Sequence, residues 1–138
     1  DGKGRRGVWW TYRFFAETEG MRIECEEGIT GPENLVGIAY KDEDKGVLRA
    51  LVGLRDTKKT QNTLISFNNL DSAPYISSNG ETHVKMWYNY QTETSVDSFG
   101  SQYLPLIMDQ EVEIIDGKIE IPITIYEWDA VLIELSRP

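Results

Sequence analysis

The chain has 138 residues, 40% of them hydrophobic, which is the length of one ordinary domain and enough apolar content for a single core. Its formal net charge is -9, from 23 acidic against 14 basic side chains. That balance works against a polyphosphate partner, whose affinity comes mainly from lysine and arginine, so nucleic acid is excluded as the expected ligand. No apolar run approaches the roughly 18 residues needed to cross a bilayer as a helix, and no membrane partner is expected.

In chain order, Lys3, Arg5 and Arg6 are a short basic group in glycine-rich sequence and read as solvated surface. From Val8 to Glu19 the apolar spacing is helical, and Gly20 stands where a C-terminal cap is expected. Five large aromatics crowd into Trp9–Phe15. At about 100° per residue, Val8, Tyr12, Phe15 and Ala16 share one face with Trp9 at its edge, while Trp10 and Phe14 point to nearly the opposite side. A helix resting on one sheet needs a single apolar flank. The second flank therefore asks for another body, and Trp10 and Phe14 are the expected contact residues.

After Gly20 the period changes from 3.6 to 2. In "MRIECE" Met21, Ile23 and Cys25 form the expected inward set of a first strand, with Cys25 a buried structural thiol whose pKa the neighbouring Glu24, Glu26 and Glu27 raise. "LVGIAYKD" and "GVLRALVGLRD" read as a β-hairpin joined by the acidic turn 42–46. That turn carries Asp42, Asp44 and Gly46 at alternate positions, like the opening of a calcium loop. Gly46 and Gly53 stand where the full pattern needs ligands, so a polar hairpin turn is the better reading and no metal is assigned.

"NTLISFNNL" alternates again, "DSAPYISSNGE" reads as a loop, and "HVKMWYNYQ" places Val84, Met86, Tyr88 and Tyr90 inward with His83, Lys85, Trp87 and Asn89 outward. A second loop-like stretch leads to "QEVEIIDGKIEIPITI", in which Asp116-Gly117 is the signal for a two-residue type I′ hairpin. Pro122 marks an edge or a bulge in that second strand. "DAVLIELSR" is a continuous apolar run, expected as a strand covered on both sides. The expected fold is all-β: an antiparallel β-sandwich of about eight strands, residues 21–138, preceded by one N-terminal α-helix within residues 1–20.

Candidate chemistry is sparse. His83 is the only histidine, has no nucleophile at a meaningful spacing, and reads as an exposed strand residue. Acidic residues are too numerous for any pair to stand out as acid and base, and no catalytic residue is assigned. Of the aromatics that could stack on a sugar ring, Trp87 and Trp128 are the expected carbohydrate-binding candidates, because Tyr88 and Tyr90 share the core face.

The order of "WWTYRFFAETEG", then "NLVGIAYKDEDKGVLRALVGLRD", then "YEWDAVLIEL" resembles the C-terminal β-sandwich that follows the (β/α)8 barrel in clan A glycoside hydrolases, family 39 in particular. The likeness is carried by Thr18-Glu19-Gly20 at the helix end, by the acidic turn before Val52-Gly53, and by Asp129 opening the final strand. It implies a non-catalytic accessory domain bracing a catalytic barrel of the same parent, with Trp10 and Phe14 on that barrel. It brings no cofactor. The two catalytic glutamates of that clan lie on barrel strands that these residues do not contain.

Two alternatives remain open on the residues alone: an independent carbohydrate-binding module, and an assembly sandwich whose helix docks on an identical subunit. The lack of an initiating methionine and of a signal sequence at Asp1 suggests a processed chain or a fragment. The compartment is open on composition, and the resemblance favours a secreted or periplasmic parent.

Overall fold

The computed structural model describes residues 14, 16, 20–25, 35–54, 61–89, 105–126 and 129–138. Among them run eight strands: β1 (Met21–Ile23), β2 (Leu35–Asp42), β3 (Val47–Leu54), β4 (Gln61–Phe67), β5 (Glu81–Asn89), β6 (Leu106–Glu113), β7 (Ile119–Ile125) and β8 (Ala130–Ser136). A single 3-10 turn, Leu70–Ser72, interrupts the connection from β4 to β5. The large sheet has six strands in the order β1-β2-β3-β8-β5-β6, and the small sheet pairs β4 with β7. Every pairing is antiparallel.

Alternation explains why the two sheets stack. Ala39 of β2, Leu48, Ala50 and Val52 of β3, Val84, Met86 and Tyr88 of β5, and Val131, Ile133 and Leu135 of β8 all turn to the same side and are buried. Phe67, Ile119, Ile121 and Ile125 of the small sheet join them in one core. Each large aliphatic or aromatic side chain among them contributes roughly 1.5 to 3 kcal/mol when fully removed from water. Leu70, Ala73 and Ile76 belong to the same core and come from the segment between β4 and β5. Arg137 Nε donates to the carbonyls of Pro74 and Ser77, tying the end of the chain to that segment.

Both outer strands of the large sheet are unattractive templates for a further strand. β1 has three residues, and β6 carries Asp109, Glu111 and Glu113 along one face. Pro122 lies on β7, which has a single partner, in keeping with its expected edge position.

Two expectations are corrected, and a third lies mostly outside the described residues. The first strand ends at Ile23, so Cys25 lies beyond it and is exposed. β1 is a short edge strand that pairs only with β2, and its residues Met21 and Arg22 are exposed as well. The Asp116-Gly117 turn forms with the positive φ that its type demands, 52° and 73°. It does not, however, start a hairpin ladder: one bridge, Ile115 to Lys118, precedes the divergence of β6 to β5 and β7 to β4. The turn crosses between sheets, with β6 continuing along β5 and β7 along β4. Finally, the expected N-terminal helix falls almost wholly outside the described residues. Phe14 and Ala16 are helical, Phe14 half-buried and Ala16 exposed.

Candidate functional site

The inward set of β5 is fixed by Val84, Met86 and Tyr88, so His83, Lys85 and Trp87 are presented on the outer face of the large sheet. Register then decides what each one meets. Trp87 is opposite Leu132 of β8 on one side and Leu106 of β6 on the other. Leu132 in turn faces Leu51 of β3, and Leu51 faces Ile38 of β2. Five apolar side chains, Ile38, Leu51, Leu132, Trp87 and Leu106, therefore form one row across five strands. The ladder slips by one residue between Met86 and Trp87, and this bulge places Leu106 beside the indole.

The neighbouring row on one side is small or polar: Val36, Gly53, Ala130 and Asn89. On the other side the row is charged, running Tyr40, Arg49, Glu134, Lys85 and Asp109. Its charges meet within the face. Arg49 Nε donates to Glu134 Oε2 at 2.7 Å, and His83 Nε2 lies 2.6 Å from Asp109 Oδ1. His83 is thus half-buried in an ion-pair geometry rather than an exposed strand residue, because the adjacent strand supplies a carboxylate that local spacing does not reveal.

The acidic turn is accounted for by its own bonds. The Lys45 amide donates to Asp42 Oδ1 at 3.0 Å, Lys45 Nζ lies 3.6 Å from Asp42 Oδ2, and Lys41 pairs with Glu43 at 2.6 Å. This is the polar hairpin turn expected from the sequence. The Glu43 carboxylate holds the Lys41 ammonium pKa above its ordinary value. The Cys25 thiol is also pushed up, chiefly by partial burial of the sulfur, with Arg22 and the Ala39 backbone pulling the other way. Residue exposure and sulfur burial differ here because the side chain leans back toward β2.

Of the residues singled out by sequence, Trp87 is half-buried on the outer face and Phe14 is half-buried in a helical turn. Trp10 and Trp128 lie outside the described residues. The aliphatic row flanking Trp87 escaped sequence reading, since it is assembled by register from five separate strands. One signal did point to it: in the run Val131-Leu132-Ile133 all three residues are buried, and Leu132 is the one that faces away from the core.

A sugar ring needs an aromatic face together with hydrogen-bonding groups at its rim. Around Trp87 both cross-strand neighbours are leucines. Lys85, Glu134 and Asp109 lie one row farther along, about 7 Å away at strand spacing. Such a band is chemically suited to an apolar protein surface.

No family model matches this chain, and no curated protein matches it in sequence. Solved structures do. N2152 from Neocallimastix frontalis superposes with a TM-score of 0.77 at 16% identity, over 98% of this chain and 31% of that one. The family 39 glycoside hydrolase from Xanthomonas axonopodis pv. citri gives 0.62 at 11% identity, over 95% and 30%. A monomeric β-xylosidase from Caulobacter crescentus CB15 gives 0.58 at 12% identity, over 94% and 30%. The chain shares a sandwich fold found in longer glycoside hydrolases. It spans less than a third of the length of each of these three chains.

Proposed function

We propose that this chain is the non-catalytic β-sandwich of a carbohydrate-degrading glycoside hydrolase, where it braces the catalytic domain of the same polypeptide. One observation carries the reading: nearly the whole chain superposes on about 30% of a family 39 enzyme and of a β-xylosidase. The remaining length of those proteins is where a catalytic domain would reside. The helix expected over Val8–Glu19, with Trp10 and Phe14 on its second flank, is the proposed covalent and apolar link to it, and a secreted or periplasmic parent is proposed with it. The two leucines that flank Trp87 across the strands support a bracing role over an independent carbohydrate-binding module.

Residues 1–138 and the longest polypeptide encoded with them are assayed side by side on 4-nitrophenyl β-xyloside and related aryl glycosides. Hydrolysis by the longer form, with none by residues 1–138, is the expected result. Titration of residues 1–138 with xylo-oligosaccharides is expected to leave tryptophan fluorescence unchanged. A saturable change would replace the bracing role with the binding-module role, and Trp87 would be its first candidate. Hydrolysis by residues 1–138 alone would overturn the non-catalytic reading.

A further inference from the structure

We infer that Asn79 is a site of spontaneous covalent modification in the folded chain, where the Gly80 amide nitrogen displaces ammonia from the Asn79 side chain and leaves aspartate or isoaspartate just before β5. The inference stands apart from the glycoside hydrolase reading, since it uses only the residues of one turn. Of the six asparagines in the chain, Asn79 alone precedes a glycine. A side chain on the following residue shields the attacking amide nitrogen, and glycine has none.

The fold leaves this pair in the open. Asn79 and Gly80 occupy a two-residue turn at φ 55° and 78°, closed by reciprocal bonds between Ser78 and Glu81 at 2.9 and 3.0 Å. Both residues are exposed, and a Cβ on Gly80 would meet nothing within 4 Å. Neither the Gly80 amide hydrogen nor the Asn79 carboxamide is hydrogen-bonded to a described residue. The one tether is the Gly80 carbonyl, which accepts from the Ile114 amide at 2.7 Å.

The same turn, built to resist this chemistry, occurs at Asp116-Gly117. Its φ values are 52° and 73°, and Ile115 and Lys118 close it in the same way. Here, however, Gly117 is buried, its carbonyl accepts from the Leu70 amide at 2.8 Å, and a Cβ on it would fall 2.6 Å from Asp71 Oδ2. A carboxylate so placed disfavours loss of the proton from the Gly117 amide, on which ring closure depends.

At Asn79 the step needs no reagent but water. The Gly80 nitrogen gives its proton to solvent and bonds to Asn79 Cγ, the Cγ–Nδ2 bond breaks, and Nδ2 leaves as ammonia. Water then opens the five-membered imide. Addition at Cγ restores the main chain as aspartate, whereas addition at the Asn79 main-chain carbonyl carbon routes the chain through Cγ as isoaspartate. Nothing is oxidised or reduced. Isoaspartate adds a methylene to a two-residue turn, so the Ser78–Glu81 bridge and the Ile114–Gly80 bond cannot both keep their geometry. Either product also adds a carboxylate two residues before Glu81, which already faces Glu113 across β5 and β6.

The test incubates the whole chain at mildly alkaline pH, folded and in guanidinium chloride, and maps the products by proteolysis and mass spectrometry. In the folded chain Asn79 is expected to be the first asparagine to lose ammonia, with isoaspartate in the same peptide. Asn79→Asp keeps a residue that tolerates positive φ and is expected to abolish the early release of ammonia. If the folded chain retains the Asn79 amide over an incubation in which the unfolded chain loses it, the turn protects the site and the proposal is overturned. It is overturned equally if another asparagine reacts first. Isoaspartate arising as early at Asp116 in the folded chain would overturn the role given to exposure. In the isoaspartate-bearing fraction, amide exchange at Glu81 and Ile114 is expected to quicken by about tenfold or more while β3 and β8 keep their protection. Unchanged exchange at those two amides would overturn the opening of the turn.

Discussion

The buried hydroxyl of Tyr88 accepts the backbone amide hydrogen of Tyr126 at 3.0 Å. Tyr88 belongs to β5 of the large sheet, and Tyr126 follows β7 of the small one, so this bond joins the two layers at the end of the sandwich where β5 and β7 finish. Tyr88→Phe leaves the ring in place and removes the hydroxyl, and with it this bond. Stability is expected to fall by about 1 kcal/mol, read as a lower midpoint in urea with an unchanged slope. An unchanged midpoint would show that water replaces the hydroxyl without penalty.

At the opposite end, Thr82 is fully buried, and its Oγ1 lies 2.8 Å from the Ile76 carbonyl oxygen and 3.2 Å from that of Ser136. One hydroxyl thereby serves the segment before β5 and the end of β8. Thr82→Val conserves volume but leaves buried carbonyls without that donor, and about 1 to 3 kcal/mol of destabilisation is expected. Thermal unfolding checks it, at roughly 3 to 5 °C per kcal/mol for a chain of this size.

Gly20 has φ 115°, and a Cβ there would fall on the Lys41 carbonyl of β2. Backbone cannot yield as a flexible side chain would. Because β1 is only three residues long and lies at the sheet edge, Gly20→Ala is expected to release that edge locally. Amide exchange should accelerate at least about tenfold where β1 pairs with β2, while β3, β8 and β5 keep their protection. Uniform acceleration across the large sheet would mean that β1 is part of the global folding unit.

For Cys25 the sign follows from the direction of its shift. Partial burial raises the thiol pKa, so at any pH below that value the thiolate fraction is smaller than for a free cysteine. Alkylation by iodoacetamide should therefore begin at a higher pH in the native chain than in the same chain unfolded in urea. Coincident pH profiles would show that Arg22 and the Ala39 backbone offset the burial.

Much of the fold was legible because alternation is a local property. The alternation turns Val84, Met86 and Tyr88 inward, and they are buried; "LVGIAYKD" reads as a strand, and β2 has those bounds. The candidate site was legible in one residue, Trp87, and illegible in its surroundings. Leu132 and Leu106 reach Trp87 from strands that lie 45 and 19 positions away in the chain, by subtraction of their residue numbers, and only the ladder register brings them together. His83 escaped for the same reason, since its carboxylate partner Asp109 sits on another strand.

The amino-acid sequence by itself determined which segments are strands, which faces of them are apolar, and where the chain can turn, as at Asp116-Gly117 and Gly46. Those properties depend on side-chain period and on the backbone freedom of single residues. Only the tertiary structure decided that β8 lies between β3 and β5, that β6 and β7 part after one bridge, and that one half of the outer face is apolar and the other charged. Strand pairing is a contest among distant segments for hydrogen bonds and buried area. A period of two says which way a side chain points, never which neighbour it will find there.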